Sequence, residues 1–135
     1  MKDRDIGVWL DERKALLVYQ QSGTQKIKTI TSGVEEFHPK GGSRSSTKWG
    51  PQEAISESNY LNRRRSQQKK YFQKIIKDLD NIERLYILGP ADTRELFRKE
   101  FLSSSPTIPN RMRIEAADSM TENQLKARVR EHFKG

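Results

Sequence analysis

Short apolar runs, each bounded by charged or turn-forming residues, limit the folds that this chain can adopt. Residues 6–10 (IGVWL) and 15–19 (ALLVY) are two such runs with a polar DERK segment between them, a pattern typical of a β-hairpin. Gly23 predicts a second turn, and residues 26–31 (KIKTIT) then alternate polar and apolar with the period of a half-buried strand. The sequence therefore predicts an opening meander of three antiparallel strands.

A long helix is predicted after a Gly/Ser/Lys-rich loop. Its C-terminal half has apolar residues at helical spacing on one face, namely Tyr71, Phe72, Ile75, Ile76 and Leu79. From about Ser58 to Lys70 the same helix is almost wholly polar. We therefore expect the C-terminal half to pack on the core, and the basic N-terminal half to project together with the loop of residues 38–57.

The rest of the chain alternates strands and helices. Residues 85–88 (LYIL) form an apolar strand that ends at Gly89-Pro90, and a helix over residues 91–101 follows, since proline suits the first helical turn. Residues 111–116 alternate as a last strand, and Thr121 with Gln124 predicts a capping box for a closing helix. The order β-β-β-α-β-α-β-α predicts one α/β domain over residues 1–135, with a mixed five-stranded sheet of RNase-H-like type and helices on its faces.

Composition narrows the classes of function. The chain has 26 Lys and Arg residues against 18 acids, a formal net charge of +8, and no cysteine. Two histidines far apart in sequence do not indicate a zinc site, so we expect no metal and no cofactor. The first residues show no signal peptide, and no apolar run approaches the ~18 residues needed to cross a membrane. We expect a cytoplasmic protein with no membrane partner.

Most of the positive charge lies between Lys40 and Lys70. This stretch has eight basic residues and two acids, Glu53 and Glu57. Such a concentration attracts phosphate, and Trp49 and Tyr60 add rings of the kind that stack on unpaired bases. The alternative interpretation is a solvated projection without a ligand, and the three adjacent arginines at 63–65 cannot all point the same way on a helix.

Other chemistry has weaker signals in the sequence. Two-metal nuclease chemistry needs converging carboxylates, but Asp11 in the DERK turn is more typical of a turn former. Neither histidine lies near a nucleophile-elbow motif. The Gly89-Pro90 turn precedes a helix N-terminus, which is a type of phosphate site, but it is more typical of a tight strand-to-helix connection.

The element order, the Gly-Gly-bearing basic loop before a basic helix, and the segment ILGPADTRELF resemble the central domain of eukaryotic/archaeal-type peptide-chain release factors. They also resemble Pelota ribosome-rescue factors and stand-alone bacterial relatives. In that domain a Gly-Gly-Gln loop tip enters the peptidyl-transferase centre and assists water in attacking the peptidyl-tRNA ester. This chain has Ser43 where glutamine is expected, and the nearby Gln52 follows Pro51, which cannot copy the backbone freedom of Gly-Gly.

The resemblance and the charge together predict a monomeric translation factor that binds rRNA or tRNA on the ribosome, with a role in ribosome rescue. The residues expected to contact RNA are Lys40, Gly41, Gly42, Arg44, Lys48, Trp49, Arg63, Arg64, Arg65, Lys69 and Lys70. One alternative is a peptidyl-tRNA ester hydrolase that uses Gln52 or Ser43 as its catalytic residue. The other is a protein–protein adaptor whose basic loop meets an acidic partner.

Overall fold

The structure, a computed structural model, describes residues 5–21, 23–33 and 50–134, with side chains of the last range described from residue 59 onward. Eight helices and strands lie in these ranges. In chain order they are β1 (Asp5–Leu10), β2 (Lys14–Gln21), β3 (Thr24–Thr31), α1 (Gly50–Asp78), β4 (Arg84–Gly89), α2 (Ala91–Ser104), β5 (Arg111–Ala116) and α3 (Glu122–Phe133).

The strands form one mixed sheet in the order β3-β2-β1-β4-β5. The meander β1-β2-β3 is antiparallel, whereas β4 is parallel to β1 and β5 is parallel to β4. In the centre Val8 pairs with Leu17 on one side and with Ile87 on the other. The predicted α/β class, the five-stranded mixed sheet and the order of strands and helices are confirmed.

Helices cover both faces of the sheet. The alternation of β1 directs Ile6, Val8 and Leu10 into a core beneath α1 and α2, and Trp9 into a second core beneath α3. Because β1 is buried on both faces, its sequence is a continuous apolar run, whereas the edge strand β3 alternates with solvent-exposed residues. The architecture has three layers, with α1 and α2 on one side and α3 on the other.

Gly7 sets the distance between the sheet and α3. A Cβ built at this position would lie 2.4 Å from Cγ2 of Val129, a separation that real side chains do not show. The absence of a side chain at Gly7 therefore allows Val129 to pack directly against β1. The predicted capping box is also present, because Gln124 N donates to the Thr121 hydroxyl at 3.1 Å and Thr121 N donates to Oε1 of Gln124 at 2.9 Å.

Helix α1 begins earlier than the sequence pattern predicts. Its first residue is Gly50, not one near Ser58, so residues 50–57 of the predicted loop 38–57 have helical backbone. Pro51 has the backbone angle that favours the first turn of a helix. This local signal was overlooked because the segment lacks an apolar stripe.

Among the described residues, no helix combines the length and the apolar character that crossing a membrane requires.

Candidate nucleic-acid interface

Helix α1 is fixed to the turn that ends β1. Tyr71 is fully buried, and its hydroxyl donates a hydrogen bond of 2.9 Å to the backbone oxygen of Asp11. Burial raises the pKa of the Tyr71 phenol, and the charge of Asp11 acts in the same direction. The phenol therefore stays protonated and remains a donor, which positions this part of α1 over the end of the central strand.

Asp11 forms the turn itself. Its Oδ1 accepts hydrogen bonds from the backbone N–H of Arg13 at 2.8 Å and of Lys14 at 2.9 Å, and its own N–H donates to the oxygen of Lys14 at 3.0 Å. The interpretation of Asp11 as a turn former is confirmed. Across residues 5–21, 23–33 and 50–134, no group of three or more metal-ligating side chains is placed to hold a metal ion.

The side chain of Arg64 also contacts the turn that follows β1. Arg64 lies seven residues before Tyr71, so two turns of helix place both side chains on one face. Arg64 forms a salt bridge with Glu12, the residue after Asp11, and its side chain is 24% exposed. An ion pair at such a surface contributes about 0–1 kcal/mol. One of the arginines predicted to contact RNA is therefore already paired with an acid of its own domain.

The other predicted cations of α1 are exposed. Arg63 and Arg65 lie on either side of Arg64 and point away from it, so the three adjacent arginines diverge as predicted. Arg65 and Lys69 are four residues apart and share one side of the helix. Within the described part of the chain, neither forms a salt bridge.

A row of four cations lies along the solvent side of α1. Arg63, Lys70, Lys74 and Lys77 are separated by seven, four and three positions, a spacing that places them on one helical face, and all four are exposed. We call these four residues the cation row. At 1.5 Å per residue the row extends over about 21 Å of helix axis. Lys74 and Lys77 are not among the residues predicted to contact RNA, although the i, i+4, i+7 spacing from Lys70 identifies them in the sequence.

Helix α1 itself contributes little negative charge beside the cation row, although α2 brings one carboxylate close, since Gln73 Nε2 donates to Oε2 of Glu100 at 2.5 Å. Residues 59–78 contain seven Lys and Arg residues and a single acid, Asp78. Asp78 is itself occupied, because its Oδ2 accepts from Lys28 Nζ of β3 at 2.6 Å. The hydrogen bond to Asp78 raises the pKa of Lys28, which keeps that pair ionised. Among the described residues, Lys70, Lys74 and Lys77 form no salt bridge, so their charge is directed to solvent.

Several predicted site residues lie outside the described residues. These are Lys40, Gly41, Gly42, Ser43, Arg44, Lys48 and Trp49. Gln52, predicted to lie at a loop tip, belongs by its backbone to the first turn of α1. The described part of the candidate interface is therefore the portion of α1 from residue 63 onward, with the cation row on one side of the helix and Arg65 and Lys69 on another.

The Gly89-Pro90 turn borders a cavity of about 380 Å³ at the carboxyl ends of β1 and β4. Gly89 has φ of 151°, and a Cβ there would lie 2.3 Å from the backbone oxygen of Leu10. The lining includes three carboxylates, those of Asp11, Glu12 and Asp92, and one cation, Arg13, so its net charge is negative and opposes binding of phosphate at the start of α2. The interpretation of this segment as a tight strand-to-helix connection accounts for its geometry.

A polar cluster beneath the C-terminal half of α3 was not anticipated from the sequence. The Tyr86 hydroxyl donates to Oε1 of Glu115 at 2.6 Å, and Arg128 and Arg113 bind the same carboxylate at 3.1 and 2.7 Å. The hydrogen bond from Tyr86 lowers the pKa of Glu115, and Arg128 and Arg113 act in the same direction. The His132 ring stacks on Tyr86 with centroids 3.7 Å apart, and burial lowers its pKa.

This cluster holds the edge strand β5 to its neighbours. Its groups lie on three different elements, β4, β5 and α3, and hydrogen-bond with one another. A role in ligand binding does not require these contacts. The sequence signal was the alternation of Arg113 and Glu115 on β5, but their partners lie too far along the chain for a local pattern to identify them.

Comparison of the sequence with models of known protein families gave no match, and comparison with curated proteins found none with significant similarity.

Proposed function

We propose that this chain is a translation factor that binds structured RNA of the ribosome or of tRNA, related to the release-factor central domain that its sequence resembles. The observation that carries the proposal is the cation row on α1. Four exposed basic side chains on one helical face, with a single paired acid at the end of that face, attract a polyanion. The α/β fold with a basic helix before β4 agrees with the resemblance.

The anchoring of α1 supports the same function. Buried residues from Tyr71 to Leu79 fix the C-terminal part of the helix to the sheet. The salt bridge from Arg64 and the hydrogen bond from Tyr71 attach its middle to one turn. Because the helix is held in this way, its cations keep fixed relative positions, and less conformational entropy is lost when a phosphate array binds.

The experiment is sedimentation of the purified protein with ribosomes at low salt, with and without nuclease treatment. We expect wild type to sediment with ribosomes, and we expect the Lys70→Glu/Lys74→Glu variant to remain in the supernatant. The Lys99→Glu/Arg111→Glu variant changes net charge equally at exposed positions of α2 and β5 and is the matched control. Wild-type protein that never sediments with ribosomes, or a row variant that sediments as well as wild type, contradicts the proposal.

The proposed function is binding and not hydrolysis. The peptidyl-tRNA hydrolase alternative depends on Ser43 and on the side chain of Gln52, both outside the described residues. A peptide-release assay on stalled ribosomes separates the two, because a protein that only binds releases no peptide. The adaptor alternative is separated by the nuclease step, since contact with an acidic protein survives digestion of RNA.

A further inference from the structure

We infer that the cation row recognises the phosphates of double-stranded RNA in preference to those of a single strand. This inference rests on the proposed function and specifies the class of RNA that α1 contacts. It follows from two properties of the described surface, the straightness of the row and the burial of the aromatic rings that lie between Arg63 and Lys77.

The row is a rigid linear array. Its four cations lie on one α-helix over about 21 Å, and the helix is anchored by a buried stripe and by the contacts of Arg64 and Tyr71. Double-stranded DNA presents one negative charge per about 1.7 Å of axis when both strands are counted, and one per about 3.4 Å for each strand. An RNA duplex likewise carries two phosphates per base pair, where a single strand carries one per nucleotide. A fixed row of charges therefore meets more phosphate along a duplex, whose geometry is also fixed before binding.

Between Arg63 and Lys77 the described surface offers no exposed ring on which a base could stack. Proteins that bind single strands use exposed rings on which unpaired bases stack. Between Arg63 and Lys77 the aromatic residues of α1 are Tyr71 and Phe72, and both are buried, while the half-buried Tyr60 lies three residues before Arg63, beside the N-terminal end of the row. The side chains beside the row on the solvent side are Ser66 and Gln67, and Gln73 at its edge donates to Glu100 of α2. A surface of this composition contacts phosphate and sugar and does not hold unstacked bases.

The absence of exposed rings between Arg63 and Lys77 also predicts little sequence preference. Phosphate contacts position a protein on nucleic acid, whereas contacts with base edges specify sequence. Sequence-independent binding to double-stranded RNA is mostly a matter of shape and phosphate contacts. We expect duplexes of different sequence to bind the row with similar affinity at a given salt concentration.

The experiment compares two fluorescent probes by anisotropy, an RNA duplex longer than the row and an oligouridine strand of the same length. Between about 50 and 200 mM salt, four phosphate contacts reduce duplex affinity roughly 150-fold and single-strand affinity roughly 50-fold. We expect the duplex to bind more tightly at about 50 mM salt. For the Lys70→Gln/Lys74→Gln variant, we expect the loss of duplex affinity over the same salt range to be only roughly 10-fold.

The Lys99→Gln/Arg111→Gln variant is the control, and its salt dependence on the duplex should match that of wild type. If the oligouridine strand binds as tightly as the duplex or more tightly, the inference is overturned while the RNA-binding function stands. If the row variant keeps the wild-type salt dependence, the row is not the contact surface and the inference is again overturned. If neither RNA binds at low salt, the proposed function fails together with the inference.

Discussion

At the scale of single residues, two glycines and one carboxylate make the clearest contributions to this fold. Gly7 allows α3 to approach β1, and Gly89 allows the end of β4 to approach Leu10. Glu115 collects hydrogen bonds from β4, β5 and α3. None of these residues belongs to the candidate interface, so substitutions there test the scaffold separately from binding.

Gly89→Ala should destabilise the protein by roughly 2–4 kcal/mol, because the new methyl group meets a backbone oxygen that cannot rotate away and because φ of 151° strains any other residue. Urea denaturation at neutral pH measures the change in the free energy of unfolding. Gly23→Ala is the matched control, since Gly23 also has a positive φ of 78° but has no atom within 4 Å of the added Cβ. Equal losses for the two variants would show that the contact with Leu10 is unimportant.

Glu115 should make stability depend on pH in the acid range. The Tyr86 hydrogen bond lowers the pKa of Glu115 in the folded protein below its ordinary value of 4.5. The folded state therefore binds fewer protons there than the unfolded chain, so this contribution is fully present well above pH 4.5 and is lost as pH falls through the folded pKa. In Glu115→Gln the difference in unfolding free energy from wild type should shrink as pH falls below 4.5.

Denaturant titrations at several pH values measure this difference. Glu122→Gln, at an exposed position in the first turn of α3, removes a carboxylate outside the cluster and serves as the comparison. A difference between Glu115→Gln and wild type that stays constant through the acid range would contradict the assigned network.

At the scale of elements, local sequence patterns predicted those features of the helices and strands that depend on neighbouring residues. The period of two in β3, the stripe from Tyr71 to Leu79 and the capping box of Thr121 each lie within a few neighbouring residues, and each prediction is confirmed. The pairing of Arg64 with Glu12 was not predictable, because it joins residues 52 positions apart. The apolar pattern did not predict the start of α1 at Gly50, because the N-terminal part of this helix extends beyond the hydrophobic core and has no apolar stripe.

If α1 is interrupted between its core-packed portion and its polar portion, the polar portion should lose helical structure while the core-packed portion stays folded. Ser66 is exposed and precedes the buried stripe, so Ser66→Pro removes one helical hydrogen bond and introduces a clash with the preceding turn, a local cost of about 3 kcal/mol. We expect weaker helical circular dichroism and weaker RNA binding, while cooperative unfolding of the sheet persists. Ser66→Ala should leave all three unchanged. An unfolded Ser66→Pro protein would show that the polar portion is needed for the core.

At the scale of the whole molecule, the helices on the two faces of the sheet have different roles. On one face α1 presents its cation row to solvent, while on the other α3 closes a second core with Leu125, Val129 and Phe133. The sequence predicted this architecture because each layer has its own periodic pattern. It did not predict which cations remain available, since that depends on acids such as Glu12 and Asp78 brought near by the fold.

The most direct measurement of the central claim is photo-crosslinking of the protein to ribosomal RNA from a photoreactive residue at Ser66, an exposed neutral position beside the cation row. The matched position is Asn123, exposed at the start of α3 on the opposite face of the sheet. We expect RNA to be crosslinked from position 66 and not from position 123. Crosslinks from position 123 alone, or equal crosslinks from both positions, would contradict the assignment of α1 as the RNA-binding surface.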